Sequence, residues 1–340
     1  MMNRLLNITF LIGLILPFTS CFKEDEMVQP YDRGDVVVKT IEMTQYYTNQ
    51  VYFDLEMGEE VSVINKNEWD LGFECSADGS HIILNTSAFM VAANSRLTNF
   101  EQVFDTTGLR WKFDKSDGDL DSTAIGNWFT IEGNDTIYPG TVFIINRGYT
   151  DLGALRGIKK IQFNKLGNDT YHFRFANLDG SEEHNFAVQK DPLVSFTCFS
   201  FSGGGQQLSF EPPIDSWDLL FTQYTTLLYT DEGDPYPYLV TGVLLNRLNV
   251  EAALDTIYDF TEATISTISG ADFNSRLDFI GYDWKELVGD VNSGNVSYVI
   301  VPGRTYFIKN RKGFFYKLRF TGFYNNSGEK GYPTVEFKLL

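Results

Sequence analysis

Glu68-Trp69-Asp70-Leu71-Gly72-Phe73 and Ser216-Trp217-Asp218-Leu219-Leu220-Phe221 share the pattern Trp-Asp-Leu-x-Phe, 148 residues apart. The chain of 340 residues contains only five Trp, so this recurrence indicates a repeat rather than chance. Within the first stretch, Trp69, Leu71 and Phe73 alternate with other residues, and this period of two predicts a β-strand with one buried face. Aromatic residues make up 15% of the chain, which also favours strands.

Four further blocks recur in the same order, with shifts between 150 and 164 residues. The pairs are Asn99–Thr106 with Asn249–Thr256, Trp128 with Trp284, Phe143–Gly148 with Phe307–Gly313, and Lys160–Phe163 with Lys317–Phe320. Asn99 and Asn249 are each expected to cap a short helical turn. The sequence Asn310-Arg311-Lys312-Gly313, which lies between two apolar runs, predicts a hairpin.

The order of these blocks predicts an all-β protein made of two tandem antiparallel β-sheet domains, each with a short helix. We expect the domains to span residues 36–190 and 191–340. The boundary is placed near Pro192, because proline cannot donate a hydrogen bond to a β-ladder.

The first 20 residues have the pattern of a secretory signal peptide. Arg4 precedes an apolar run, Leu5–Phe18, and Thr19-Ser20 then lead to Cys21. This arrangement predicts a bacterial lipoprotein whose lipid anchor is Cys21 and whose contact with the membrane is through that lipid. An acidic tether is expected over residues 21–35. Its first part, Phe22-Lys23-Glu24-Asp25-Glu26, resembles the surface-export segment of some lipoproteins, and an ordinary solvated linker is the alternative. We expect a protein anchored in the outer membrane and facing the extracellular side.

The composition argues against several classes of function. With 45 acidic and 27 basic residues the chain is strongly negative, so it repels nucleic acid. Neither a Gly-x-Ser-x-Gly motif nor metal-type cysteine spacing occurs, and we therefore predict no enzyme and no structural metal. The acidic run Asp114–Asp121 departs from the EF-hand pattern and is interpreted as a solvated loop. Cys75 and Cys198 are expected to be two separate buried thiols.

Together, these blocks resemble the HmuY-like family of secreted lipoproteins. The resemblance is carried by the Trp-Asp-Leu-x-Phe strand, the boxes at Asn99 and Asn249, the later Trp128 and Trp284, and the closing hairpin with Lys317-Leu318-Arg319-Phe320. It covers most of residues 36–340, in two copies instead of the usual one. It implies an all-β fold and, as function, capture of haem or porphyrin at the cell surface for iron acquisition through a TonB-dependent receptor.

The iron ligands that the resemblance implies are His or Met side chains between the helix box and the hairpin. Residues 106–141 and 257–303 contain neither, and the whole of 191–340 lacks both, so the second copy has no His or Met for haem iron. In the first copy, His81 and Met90 flank a short apolar run and are the haem-ligand candidates. The alternative is that Met90 packs in a core and His81 belongs to a turn.

Two other interpretations remain open at the level of the sequence. A porphyrin held between aromatic walls would need no bond to the iron. A divergent role in binding glycans or proteins is favoured by Asp234-Pro235-Tyr236-Pro237-Tyr238, which predicts either a rigid loop with two exposed rings or a structural turn.

Overall fold

The protein consists of β-strands joined by turns and loops. The computed structural model describes residues 34–290 and 294–340, and in these residues it contains 22 strands and four 3-10 helices of one turn each. The predicted all-β, antiparallel fold is confirmed. The predicted signal peptide, Cys21 and most of the acidic tether lie outside the described residues.

Most strands belong to four sheets, numbered here with their strands in spatial order. Sheet I contains β12 (His184–Gln189), β11 (Thr170–Asn177), β10 (Ile158–Leu166), β9 (Val142–Asn146) and β6 (Val91–Asn94). Sheet II contains β14 (Gln206–Leu208), β13 (Phe196–Ser200), β4 (Leu71–Glu74) and β5 (Ile82–Leu84). Sheet III contains β16 (Pro235–Leu245), β15 (Leu219–Tyr229), β2 (Asn49–Asp54) and β3 (Glu59–Asn65). Sheet IV contains β1 (Val37–Thr40), β22 (Lys330–Leu339), β21 (Phe315–Tyr324), β20 (Thr305–Lys309) and β17 (Glu251–Asp255). Two further hairpins are β7 (Thr130–Glu132) with β8 (Asp135–Ile137), and β18 (Lys285–Asp290) with β19 (Asn295–Ile300).

Sheets I and IV have the same strand plan, and so do sheets II and III. The outer strand of sheet IV, β1, comes from the beginning of the described chain, where Val37 pairs with Phe337. In sheet II, β13 comes from the second half of the chain and pairs with β4, which contains part of the first Trp-Asp stretch. Three of the four sheets thus combine strands from both sides of residue 190. The limits 36–190 and 191–340 remain a prediction.

Two buried aspartates explain why the Trp-Asp stretch and the later Arg block recur together. Asp70 accepts hydrogen bonds from Arg147 Nε and Nη2, both at 2.9 Å. Asp218 accepts one from Arg311 Nη1 at 2.7 Å. Both aspartates are 0% exposed, so each carboxylate needs its guanidinium. The first pair therefore joins the start of β4 in sheet II to the end of β9 in sheet I. The second pair joins the start of β15 in sheet III to the end of β20 in sheet IV. The predicted hairpin at Arg311 is confirmed, since Lys309 pairs with Phe315.

A buried lysine in each half holds a turn by two backbone carbonyls. Lys160 Nζ donates to Phe100 O and Val103 O, both at 3.0 Å. Lys317 Nζ donates to Phe260 O at 2.6 Å and to Ala263 O at 2.8 Å. The counterpart of the turn at Phe100 is therefore the turn at Phe260.

This arrangement corrects one sequence prediction. Asn99 does cap a 3-10 helix, Phe100–Gln102, by accepting a hydrogen bond from Glu101 N. Asn249, however, has a φ of 55° and leads into strand β17, so the helical turn predicted there is wrong. The segment between Trp217 and Phe260 is longer than the segment between Trp69 and Phe100. Aligning the two halves by residue type therefore placed the helix at Asn99 opposite a strand.

The equivalence of Trp128 and Trp284 is confirmed by their packing. Trp128 lies 5.3 Å from the ring of Phe163, and Trp284 stacks on Phe320 at 3.9 Å. Both phenylalanines occupy the same place in the repeated Lys-x-x-Phe block. Each Trp thus covers the core of its own half.

Two smaller predictions have different outcomes. Cys75 and Cys198 are both buried free thiols, as predicted. Residues 235–238 are not a loop or turn but part of strand β16, which lies at the edge of sheet III. Proline is tolerated there because an edge strand leaves one side of its backbone without ladder bonds.

Candidate functional site

The two predicted iron ligands, His81 and Met90, lie in different surroundings. His81 is partly exposed, and its Nδ1 lies 2.5 Å from Glu74 Oε2. Burial alone would raise the pKa of Glu74, but hydrogen bonds from Ser76 and His81 outweigh it and lower that pKa. Met90 is 0% exposed in the core of the first half. Its sulfur is closed to an external ligand, and the assignment of both residues as haem ligands remains a prediction.

An open cleft of about 570 Å³ lies elsewhere, between loops and strands from distant parts of the sequence. We call it the tyrosine cleft. Its aromatic side chains are Tyr46, Tyr47, Phe89, Tyr149 and Tyr238. Polar and charged residues complete the wall, among them Gln45, Lys66, Asp151, Gln223 and Lys330. Neither His81 nor Met90 lines it.

Three tyrosines of the cleft present their rings to solvent. Tyr46 is 51% exposed, Tyr149 is 44% exposed and Tyr238 is 52% exposed. Exposed aromatic rings gathered around one concave surface offer flat apolar area for a planar ligand, with hydroxyl groups at the ring edges. The cleft can therefore bind by stacking.

The backbone of the cleft is strained at two of its aromatic residues. Tyr47 has a φ of 56° and Phe89 has a φ of 59°, in the left-handed region that bulky side chains rarely adopt. Strain of this kind persists only where the surrounding structure enforces it, and it is common at binding sites. At Phe89 the enforcing contact is local, since its N–H donates to Thr86 O at the end of the 3-10 helix Thr86–Ala88.

Two lysines give the cleft positive charge. Lys66 is 2% exposed, and its Nζ donates to Gln223 Oε1 at 2.6 Å. Burial lowers the pKa of Lys66 to about 8. Within the described part of the chain Lys66 forms no ion pair, so an anion in the cleft would stabilise its charge. Lys330 lies at the rim, with its Nζ 5.5 Å from the centre of the Tyr47 ring.

A second open pocket, of about 510 Å³, contains a histidine. The ring of His184 lies 5.4 Å from that of Phe175, above the loop of Gly203 and Gly204. Gly204 has a φ of 85°, and a Cβ there would lie 2.9 Å from the imidazole, so both the backbone and the contact favour glycine. The cations of this pocket, Arg147 and Lys159, already bond to Asp70 and Asn177. With two phenylalanine rings and its cations engaged, this pocket suits a planar anion less well than the tyrosine cleft.

Sequence reasoning did not find the tyrosine cleft, because its residues come from seven separate segments of the chain. Tyr46 and Tyr47 lie in a turn before strand β2, so the alternation of a strand could not indicate which ring is exposed. Tyr238 was noted for its exposed ring, although in a loop rather than in a strand. Tyr138, Tyr258 and Tyr282, which lie in the segments where the family's ligands are expected, do not line the cleft.

The comparisons with known proteins identify the family. The sequence pattern described as HmuY protein matches residues 46–337, and the chain belongs to this family. No curated protein matches the chain.

Three solved structures are similar to this chain. Apo PinO from Porphyromonas gingivitis is 10% identical over 90% of this chain and 98% of that chain, with a TM-score of 0.29. The apo HmuY analog of Tannerella forsythia is 12% identical over 91% of this chain and 98% of that one, with a TM-score of 0.24. A putative HmuY-like heme binding protein from Bacteroides vulgatus is 10% identical over 90% and 94%, with a TM-score of 0.24.

No group of three or more His, Cys, Asp or Glu side chains in residues 34–290 and 294–340 is arranged to hold a metal ion. No helix in the same residues is long and apolar enough to cross a membrane.

Proposed function

We propose that this protein is a non-enzymatic surface lipoprotein that captures haem or a related porphyrin in the tyrosine cleft. The observation that carries the proposal is the gathering of five aromatic side chains and two lysines around one open cleft of about 570 Å³. Membership of the HmuY family supports a ligand of this class. A porphyrin is a flat apolar ring with carboxylate groups at its edge, and the cleft offers a complementary surface.

The lysines and the tyrosine hydroxyl groups of the cleft would bind different parts of the ligand. Lys330 at the rim and Lys66 on the floor suit the two carboxylates, since an ammonium is a good partner for such an anion. A tyrosine hydroxyl is an accepted ligand of haem iron when it is deprotonated. Tyr46, Tyr149 and Tyr238 have exposed rings in the cleft and are the residues that would supply it.

The wider role follows from the same family and from the start of the sequence. We propose that the lipidated Cys21 anchors the chain in the outer membrane on the extracellular side, and that a TonB-dependent receptor takes the captured haem. We also propose that the two halves arose by tandem duplication. The recurring contacts of Asp70 and Asp218 and of Lys160 and Lys317 support this origin.

Titration with two ligands tests the proposed function. The soluble chain from Asp35 onward is titrated with haemin, and separately with iron-free protoporphyrin, while the Soret band is recorded. We expect saturable binding of both, with weaker binding of both by Lys330→Gln and by a variant in which Tyr149 and Tyr238 are replaced by alanine. If one hydroxyl binds the iron, then Tyr46→Phe, Tyr149→Phe or Tyr238→Phe will alter the spectrum of haemin alone.

Matched variants separate this site from the candidates predicted from the sequence. Tyr258→Phe changes an exposed tyrosine outside the cleft and is expected to bind haemin like the original chain. His81→Ala and Met90→Ala are expected to keep the Soret shift. Loss of the shift in either, with the fold intact by circular dichroism, would move the iron site to those residues. An unshifted Soret band for the original chain would overturn haem capture.

A glycan is the second candidate ligand, and one feature of the cleft favours it. Tyr236 and Tyr238 lie 6.2 Å apart on the edge strand β16, and Gln45, Asp151 and Gln223 supply polar groups beside Tyr238. Aromatic rings flanked by such groups also suit sugar rings. If the Soret band does not shift, binding on a glycan array that is lost in Tyr238→Ala would identify this function.

A further inference from the structure

A partly open cavity of about 130 Å³ lies between sheets II and III, away from the proposed haem site. Both tryptophans of the repeated Trp-Asp stretches, Trp69 and Trp217, line it. Leu220, Leu244 and Leu277 form an apolar part of its wall. The cavity is close in size to one of about 150 Å³ that binds benzene inside a protein. It therefore has room for a small organic molecule.

Asp114, Glu211 and Arg247 face this cavity from different segments, and the exposed Lys115 also lines it. None of them forms an ion pair with another in the described residues, although they share one small space. Asp114 instead accepts hydrogen bonds from Leu84 N at 2.6 Å and from Ala124 N at 2.7 Å. Glu211 accepts one from Phe196 N at 2.9 Å. Arg247 Nη1 donates to Gly118 O at 2.7 Å.

The surrounding protein penalises each of these charges. Burial raises the pKa of Asp114 to about 6 and that of Glu211 to about 7, and it lowers the pKa of Arg247. Arg247 is nevertheless exposed over part of its side chain and Glu211 is half-buried. The guanidinium of Arg247 also lies 5.3 Å from the centre of the Phe196 ring. A molecule that bears both charges would satisfy them together.

One further polar group points to a ligand. Trp217 is 4% exposed, and its indole N–H has no acceptor among the described residues. The equivalent N–H of Trp69 donates to Gln50 Oε1 at 2.8 Å, on the wall of the same cavity. A buried donor without an acceptor is costly, so an acceptor inside the cavity would stabilise the structure.

The acidic segment interpreted from the sequence as a solvated loop closes part of this cavity. Asp114, Lys115 and Ser116 belong to the wall. Ser116 Oγ donates to Asp278 Oδ2 at 2.6 Å, and Leu277 N donates to Asp117 O at 3.0 Å. The segment is thus held to the second half of the chain.

We propose that this cavity binds a small zwitterion of the amino-acid class. Arg247 and the indole N–H of Trp217 would receive its carboxylate, and Glu211 and Asp114 would receive its ammonium group. The three leucines would receive an aliphatic side chain. A simple anion fits less well because two carboxylates face the cavity. A simple cation would leave the Trp217 N–H without an acceptor and would give Arg247 no carboxylate.

The test uses the full chain and L-leucine as the probe. Binding is followed by isothermal calorimetry and by the fluorescence of the tryptophans that line the cavity. Two analogues of similar size dissect the charges: 4-methylpentanoate lacks the ammonium group, and 3-methylbutylamine lacks the carboxylate. We expect saturable binding of leucine, and about tenfold or greater loss of affinity for each analogue, since each loses charge-assisted hydrogen bonds.

Variants assign the contacts. Arg247→Gln and Glu211→Gln are each expected to weaken leucine binding about tenfold, and Trp217→Phe to weaken it less, because it removes one hydrogen-bond donor and keeps the ring. Arg110→Gln and Trp111→Phe are the matched controls, at exposed positions outside the cavity. Thermal unfolding of each variant shows that it is folded.

Three results would overturn the proposal. The first is that the original chain does not bind leucine at millimolar concentration. The second is that Arg247→Gln and Glu211→Gln bind leucine as tightly as the original chain does. The third is that the original chain binds leucine and its two analogues with equal affinity. Because haemin binding is measured independently on the same protein, failure here does not affect the proposed function.

Discussion

The two buried ion-pair centres at the Trp-Asp stretches differ in their balance of charge. In the first half, Asp70 is shared by two guanidinium groups, since Arg147 and Arg156 both lie 2.9 Å from its oxygens. At the second Trp-Asp stretch, Arg311 is shared by two carboxylates, Asp218 at 2.7 Å and, from the first half of the chain, Asp54 at 2.8 Å. One centre therefore carries an extra positive charge, and the other an extra negative charge.

This difference shows which residue each centre depends on. Asp70 keeps Arg156 if Arg147 is removed. Asp218 and Asp54 have no second cation among the described residues if Arg311 is removed, and both are almost fully buried. Burial raises the pKa of Asp218 even beside Arg311. The centre at the second Trp-Asp stretch is therefore the more fragile of the two.

Removal of these arginines is expected to give the largest effect. Arg311→Met leaves two buried carboxylates unpaired and should lower the free energy of unfolding by about 3–5 kcal/mol. Arg147→Met removes hydrogen bonds but leaves Asp70 with Arg156, so the expected loss is about 1–3 kcal/mol. Urea denaturation at neutral pH measures both values.

The pH dependence and a neighbouring lysine provide the controls. A carboxyl group with a raised pKa in the folded state destabilises the protein as the pH rises through that pKa. The loss in free energy of unfolding caused by Arg311→Met should therefore be smaller at acidic pH than at neutral pH. Lys312→Met breaks an exposed pair with Glu56 and should cost under about 1 kcal/mol. Equal losses for Arg311→Met and Arg147→Met would show that the two centres are energetically alike.

A second pair of variants tests a contact that the two halves share. Lys160→Met and Lys317→Met each remove the donor for two backbone carbonyls, and we expect each to cost about 2–3 kcal/mol. Lys160 Nζ also lies 4.5 Å from the ring of Phe100, and Lys317 Nζ lies 4.7 Å from that of Phe260. Because the geometry matches, the two losses should agree within about 1 kcal/mol, by chemical denaturation. A clear inequality would mean that the turns at Phe100 and Phe260 are not equivalent in energy.

The sequence predicted the parts of the fold that depend on local pattern. The alternation of Trp69, Leu71 and Phe73 predicted a strand beside a buried core, and the Asn310–Gly313 turn predicted a hairpin, because both follow from the spacing of neighbouring residues. The order of the repeated blocks also indicated correctly that Trp128 and Trp284 play the same part. These predictions needed no knowledge of which strands pair.

The pairing of strands from distant segments could not be predicted from the sequence. Nothing in Val37–Thr40 indicates that this strand completes a sheet with Lys330–Leu339, since any amphipathic strand of that length would serve. The tyrosine cleft depends on such pairings, and its residues carry no motif of their own. Asn249 was misassigned because an Asn followed by Glu resembles a helix cap, whereas packing against β20 makes the segment a strand.

The smallest expected effect separates the two tryptophans of the repeated Trp-Asp stretches. Trp69→Phe and Trp217→Phe lose the same ring area, but only Trp69 gives up a hydrogen bond, to Gln50 Oε1. We therefore expect Trp69→Phe to be the more destabilising, by about 1 kcal/mol. A double-mutant cycle that adds Gln50→Leu should give a coupling energy of similar size with Trp69 and close to zero with Trp217. Coupling of Gln50 to Trp217 instead would mean that the two indoles exchange partners across the cavity, and that the free N–H belongs to Trp69.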